Sequence, residues 1–134
     1  MPTGGGNETR STIQTFMIIP KRGDIYLVDL DPARGHEANK TRPALVIQND
    51  IGNRYSPVTI VAAISSKLSA VPYPVDVVVS PTKANGLTLQ SAIQLGQIRS
   101  VDRSRLVKRL GALDLGALQR VDEAIRISLG LVAL

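Results

Sequence analysis

Two apolar runs rich in β-branched residues carry a polar side chain at their outer ends. The first run extends from Arg42 to Asn49 and the second from Val58 to Ser65. Such runs, separated by the turn-forming segment 50–57, predict two antiparallel strands joined by a hairpin loop. If Asn49 faces Val58, Arg42 lies opposite Ser65, with Cβ atoms roughly 4.5–5.5 Å apart. A guanidinium, a planar cation with a fork of donors, could bind a phosphate beside that hydroxyl.

The same residues also have an ordinary structural interpretation. An arginine before an apolar strand is often a solvated strand end, and a serine after one is often a turn residue. A slip of one residue in the strand register would send one partner to the other face of the sheet. Pro43 fits either interpretation, since proline is tolerated at the first residue of a strand.

Charge and composition limit the classes of function. The chain has 134 residues, enough for one domain with a real core, and carries 16 Lys and Arg against 11 Asp and Glu, a formal charge of +5. This excess suits a phosphate-bearing partner without establishing one. Basic residues gather in one stretch: Arg99, Arg103, Arg105, Lys108 and Arg109.

Several kinds of site are excluded by residue counts. There is no cysteine, so disulfides and cysteine-ligated zinc are excluded, and a reducing compartment is compatible. His36 is the one histidine, and no Gly-x-Ser-x-Gly segment accompanies it to support a serine-hydrolase triad. No apolar run reaches the ~18 residues of a membrane span, and the N-terminus lacks the apolar core of a signal peptide. We expect no metal, no cofactor, no membrane contact and a cytoplasmic location.

The order of elements predicts a small, mainly β domain with one terminal helix. Residues 1–17 are interpreted as a disordered extension or a cloning remnant, and 18–134 as a single domain. Apolar and alternating runs predict strands, and 103–108 a short helix or turn before the sheet resumes at Arg109 and Leu110. The predicted strands are Ile25–Leu30, Arg42–Asn49, Val58–Ser65, Tyr73–Val79, Leu87–Leu89, Ser91–Leu95 and Gln97–Val101.

The predicted terminal helix starts at Asp114, a good N-cap residue. Apolar residues recur behind it at three- and four-residue spacing, which is typical of a helix covering a core. The stripe consists of Leu118, Val121, Ile125, Leu129 and Val132. Many short strands and one helix indicate a strongly bent sheet or barrel with the helix packed on it.

The order and spacing of several short motifs resemble the MazF/PemK family of toxin–antitoxin endoribonucleases. The resemblance covers roughly residues 21–132. The motifs that carry it are Arg22-Gly23-Asp24-Ile25-Tyr26, Asp31-Pro32, Gly35-x-Glu37, Arg42-Pro43, Gln48-Asn49-Asp50, Gln97-Ile98-Arg99 and Asp122-Glu123-Ala124.

This resemblance implies an SH3-like β-barrel homodimer that cuts single-stranded RNA at short sequences without a metal. In the implied reaction the ribose 2′-OH attacks the adjacent phosphorus, leaving a 2′,3′-cyclic phosphate and a 5′-OH. The family's catalytic arginine and strand-end threonine fall on Arg42 and Ser65. The implied substrate-binding residues are Gly35, His36, Glu37, Ser66, Gln97 and Arg99. A MazE-like antitoxin, acting through a disordered acidic tail, is the implied partner.

Three positions depart from the family pattern. Serine stands at Ser65 in place of threonine; it keeps the hydroxyl, and the adjacent Ser66 is an alternative carrier of that role. Gly96 occupies a position that is commonly acidic, so a base contact there is expected to differ. His36 replaces a small polar residue, either as an additional acid or base or as a loop residue that contacts RNA or nothing.

Two other functions compete with RNA cleavage. A non-catalytic toxin resembling CcdB would bind DNA gyrase and would not need Arg42 and Ser65 paired at a wet edge. A plain RNA-binding barrel would retain RNA uncut. Phe16, Tyr26, Tyr55 and Tyr73 are the only aromatic residues, too few for a typical base-stacking platform on a sheet.

Overall fold

A single six-stranded antiparallel sheet forms the body of the protein. The computed structural model describes residues 18–30 and 41–133. The strands run in the order β4-β5-β3-β2-β1-β6 across the sheet. Their bounds are β1 Asp24–Asp29, β2 Thr41–Val46, β3 Val58–Ser65, β4 Asp76–Val79, β5 Ser91–Asp102 and β6 Leu106–Ala112. Helix α1 spans Asp50–Tyr55, a 3₁₀ turn spans Arg103–Arg105, and helix α2 spans Leu115–Ser128.

The prediction of a mainly β fold with a terminal helix is confirmed. The sheet does not close into a full barrel, because β4 and β6 form its two edges in the described part of the chain. No helix in these ranges is long and apolar enough to cross a membrane. The predicted extension 1–17, and Asp31-Pro32 at the end of the first strand, lie outside the described residues.

The predicted register of the central hairpin is confirmed where the two strands pair, but β2 ends at Val46 and not at the predicted Asn49. Ala44 pairs with Ala63 and Val46 with Val61, and the same register continued by two residues sets Arg42 opposite Ser65. Strand β3 has the predicted bounds. Because side chains alternate along a strand, Arg42 and Ser65 share one face of the sheet.

The connection between β2 and β3 was wrongly predicted as a plain hairpin loop, since α1 occupies most of it. Asn49 caps this helix by accepting a hydrogen bond from the Gly52 N–H at 2.7 Å. Asn53, fully buried, accepts from the Thr59 hydroxyl at 2.7 Å and donates to the Gln48 carbonyl at 2.9 Å. Gln48 in turn donates to Asn53 Oδ1 at 3.1 Å. These contacts define the closed end of the hairpin: Gln48, Asn49, Asn53 and Thr59.

Strand β5 is longer than predicted and is interrupted by a bulge. The two predicted pieces 91–95 and 97–101 belong to one strand. Its pairing with β3 passes from Ile98 opposite Ala62 directly to Gln94 opposite Ala63, so residues 95–97 are extra on the β5 side. Strand β4 begins at Asp76, later than the predicted Tyr73.

The predicted strand at Leu87–Leu89 is wrong. The Leu87 N–H donates to the side chain of Asn85 at 3.0 Å instead of to a neighbouring strand. Gly86 before it has a positive φ of 70°. A β-carbon at Gly86 would collide with the Leu110 carbonyl, and one at Gly111 would collide with the Ala84 carbonyl. The glycines therefore allow this segment to lie directly against β6.

Helix α2 packs on one face of the sheet and covers the larger core cluster. That cluster includes Ile25, Leu45, Ile93, Leu95 and Val121. Asp114 caps the helix as predicted, accepting from the Ala117 N–H at 2.8 Å. The predicted stripe extends too far: the helix ends at Ser128, and Leu129 remains 60% exposed. Gly130, with φ of 73°, terminates it.

Candidate active site

A cleft opens at the end of the central hairpin remote from α1, where β2 begins and β3 ends. Its volume is about 570 Å³. Polar side chains on its lining include Arg42, Ser65, Ser66, Lys67 and Gln94. Apolar side chains form other parts of its wall, among them Leu27, Pro43, Leu87, Leu89 and Leu110. We call this the open end of the hairpin.

Arg42 reaches the cleft from the second residue of β2. Its backbone pairs with Val28 of β1, so a central strand fixes its position on one side. The residue is exposed, and its guanidinium has no hydrogen bond or ion pair with any residue in the described ranges. No residue in these ranges therefore competes for its donors with an anion that enters the cleft.

Ser65 ends β3, where its backbone pairs with Ala92 of β5. The hydroxyl oxygen accepts a hydrogen bond from the Lys67 N–H at 3.1 Å. This bond occupies one lone pair and leaves the hydroxyl proton free to donate into the cleft. Ser66 also lines the cleft but is exposed, and its hydroxyl has no partner within 18–30 and 41–133. Ser65 is therefore the hydroxyl that the backbone orients.

The cleft lining is cationic. Arg42 and Lys67 contribute positive charge, and no Asp, Glu or His is found among the described lining residues. The carboxylates with clearly shifted pKa values belong to other parts of the fold. A hydrogen bond from the Arg22 N–H lowers the pKa of Asp50, and one from the Ser104 N–H lowers that of Asp102. Among the described lining residues, positive charge is therefore not offset by an acidic side chain.

A sequence profile of the PemK-like, MazF-like toxins of type II toxin–antitoxin systems matches residues 21–129. The chain belongs to this family. It is also 46% identical over 115 residues to Endoribonuclease EndoA of Bacillus subtilis, covering 86% of this chain and 98% of that relative.

Solved structures of MazF proteins have the same fold. MazF from Deinococcus radiodurans superposes with a TM-score of 0.66 at 25% identity, covering 84% of this chain and 98% of that one. A mycobacterial endoribonuclease, solved in complex with its cognate antitoxin, gives a TM-score of 0.70 at 21% identity, over 86% and 99%. The expectation of a MazF-like fold is thereby confirmed.

Two of this toxin's predicted substrate-binding residues lie away from the lining of the cleft. Gln97 is exposed within the β5 bulge. Arg99 pairs with Val61 and donates from Nη1 to the Leu30 carbonyl at 3.1 Å, at the end of β1. Contact of either residue with RNA stays a prediction. Gly35, His36 and Glu37 lie outside the described residues.

Lys67 and Gln94 are among the lining residues that the sequence did not predict for the site. Lys67 follows Ser65 by two residues, a spacing that could have suggested a second cation near the same phosphate. Gln94 had no such signal, because its position depends on the β5 bulge. Within the described ranges, no group of three or more His, Cys, Asp and Glu side chains could hold a metal ion.

Proposed function

We propose that this toxin is an endoribonuclease that cleaves single-stranded RNA in the cleft at the open end. The observation that carries the proposal is the pairing, in a cationic cleft, of an oriented Ser65 hydroxyl with an Arg42 guanidinium that has no partner among the described residues. Membership of a toxin family and 46% identity to a relative named endoribonuclease support the same activity.

The proposed reaction is an intramolecular transesterification at phosphorus. The ribose 2′-oxygen attacks the adjacent phosphorus while the bond from phosphorus to the 5′-oxygen of the next nucleotide breaks. The 2′-OH loses its proton and the departing 5′-oxygen gains one, so the products carry a 2′,3′-cyclic phosphate and a 5′-OH. No water, metal or cofactor enters the balanced equation.

Arg42 has the chemistry to stabilise the transition state. Negative charge grows on the non-bridging oxygens of the phosphate as the 2′-oxygen attacks, and a guanidinium fork can bind two of them. The pairing of β2 with β1 fixes the backbone of Arg42 at the edge of the cleft, and binding of the phosphate would order its exposed guanidinium. In this proposal Arg42 acts electrostatically, and no proton transfer is assigned to it.

Ser65 is proposed to position the reacting group. The Ser65 O–H can donate a hydrogen bond to a phosphate oxygen or to the 2′-oxygen. The Lys67 N–H donates to the same hydroxyl oxygen and so fixes its orientation. Holding the 2′-oxygen in line with the departing oxygen lowers the entropic part of the barrier. Gly35, His36, Glu37, Ser66, Gln97 and Arg99 remain proposed contacts to the rest of the RNA.

The proposal also concerns partners and location. We propose a symmetric homodimer and a MazE-like antitoxin whose acidic tail competes with RNA for the Arg42 edge. Solved relatives include toxins bound to their antitoxins. An RNA substrate implies action in the cytoplasm.

Light scattering should report about twice the chain mass of 14.3 kDa, which tests the dimer. Addition of the antitoxin should displace a non-cleavable RNA, which tests the competition. A monomer, or independent binding of both ligands, would contradict this part.

The test of the activity uses an oligonucleotide with a single ribose at the scissile position and deoxyribose elsewhere. After the target sequence is mapped on a long mixed RNA, single-turnover cleavage is followed with EDTA present. We expect cleavage with a cyclic phosphate end, and none when that ribose is replaced by 2′-deoxyribose. Equal cleavage of the deoxy control would exclude attack by the 2′-OH. Retention of uncut RNA would favour the plain RNA-binding barrel.

A further inference from the structure

Gln94 is an amide in the cleft that the proposed reaction does not use. It lines the cleft together with Arg42 and Ser65. Gln94 is half-buried, and its side chain has no hydrogen bond with any residue in 18–30 or 41–133. An amide in a partly desolvated position gains from a partner, because a buried polar group without one is costly.

The strand register sets Gln94 next to the reacting centre. Ser65 pairs with Ala92, and Gln94 lies two residues further along β5 on the same face. Diagonal neighbours of this kind are about 7–8 Å apart at their Cα atoms. A glutamine side chain can span that separation, so its amide can meet the nucleotide whose phosphate lies between Arg42 and Ser65.

Neither of the two cross-strand neighbours of Gln94 makes a hydrogen bond to its amide. On one side it pairs with Ala63 of β3, whose methyl group cannot cover it. On the other side it pairs with Asp76 of the edge strand β4. Gln97, by contrast, is carried by the bulge, and Gly96 beside it has no side chain to contact a base.

We infer that Gln94 reads one base beside the scissile phosphate and thereby helps to set which RNA sequence this toxin cuts. A glutamine amide offers a donor and an acceptor together, the combination that can pair with the edge of a single base. Single-stranded RNA exposes such edges. Gln94 acts here as a specificity residue. This inference rests on the proposed RNA cleavage.

The experiment compares wild-type toxin with Gln94→Met and Gln94→Glu on an RNA library randomised around the cut site. Methionine keeps the length of the side chain but removes its hydrogen bonds, and glutamate keeps the shape but removes the donor. The matched control is Gln119→Met, on the exposed surface of α2 and outside the cleft. Far-ultraviolet circular dichroism checks folding, and Gln94→Glu carries the test if Gln94→Met does not fold.

We expect the Gln94 variants to keep cutting RNA while their preference at one base position falls about tenfold or more. Preference at the other positions, and that of Gln119→Met, should match wild type. Unchanged preference at every position in a folded Gln94 variant would overturn the inference while leaving RNA cleavage intact. Failure of the wild type to cut any RNA would overturn the proposed function and this inference together.

Discussion

The polar side chains at the two ends of the β2–β3 hairpin differ in whether they have hydrogen-bond partners. At the closed end, Asn53 and Thr59 are fully buried and satisfy each other and Gln48 through short hydrogen bonds. At the open end, Arg42 and Gln94 have no side-chain partner in the described residues. Satisfied groups stabilise the fold, whereas groups left without partners are available to a ligand. The hairpin therefore separates polar residues that stabilise the fold from those that we propose act on RNA.

The largest expected effect is at the open end. Arg42→Ala should reduce single-turnover RNA cleavage by about 10³-fold, the upper range for losing one donor to a developing oxyanion. The free energy of unfolding should barely change, because this exposed side chain contacts little of the core. Arg42→Lys should recover little activity, since an ammonium cannot reproduce the planar fork. Undiminished cleavage by a folded Arg42→Ala toxin would remove this residue from the mechanism.

The next effect is at the closed end and should appear in stability. Asn53→Ala removes the partner of the buried Thr59 hydroxyl and the donor to the Gln48 carbonyl, and should lower the free energy of unfolding by about 3 kcal/mol. Urea denaturation at fixed protein concentration measures this change. Ser66→Ala, at an exposed position of the open end, is the control and should change stability by less than about 0.5 kcal/mol.

RNA cleavage by Asn53→Ala tests whether the closed end affects the open end. Under conditions where Asn53→Ala remains folded, its cleavage rate should stay close to that of wild type, because the network lies at the end of the hairpin away from the cleft. A loss of activity as large as that of Arg42→Ala, with the fold intact, would show that the two ends are coupled. The separation of structural from functional residues would then be wrong.

A smaller change is expected at Ser65. Ser65→Ala should lower the rate of cleavage roughly 10-fold to a few hundred-fold, the scale of one or two lost transition-state hydrogen bonds. Ser65→Thr should remain active because it keeps the hydroxyl. Ser66→Ala should change the rate little, since the backbone orients Ser65 and not Ser66. A reversed result for the two serines would assign the hydroxyl function to Ser66.

The sequence predicts the open end better than its surroundings. The two apolar runs predict two antiparallel strands, and the assumption that Asn49 faces Val58 then sets Arg42 opposite Ser65. Helix α1 was missed because it is only six residues long and depends on the contact between Asn53 and Thr59. Gln94 was missed because the bulge shifts β5 against β3, and an alternating pattern does not reveal a bulge. The resemblance to MazF toxins supplied the reaction, which geometry alone would not name.

The smallest effect tests whether the charge in the cleft acts locally. Lys67 lines the cleft, is exposed and has no ion pair within the described ranges. Lys67→Gln should weaken binding of a non-cleavable RNA a few-fold at moderate salt, the scale of one exposed charge contact. If Lys67 contacts a phosphate, the slope of log affinity against log salt should become shallower by about 0.7.

The control for this measurement is Lys21→Gln, which removes the same charge at a different place. Lys21 lies in a separate groove with Ile19, Ile51 and Tyr55, away from the cleft. It should leave the salt slope unchanged, because a lysine that contacts no phosphate releases no counterion from the RNA. Equal changes for the two variants would mean that Lys67 contributes only to net charge. A change confined to Lys67→Gln would establish that the open end binds phosphate with a second cation beside Arg42.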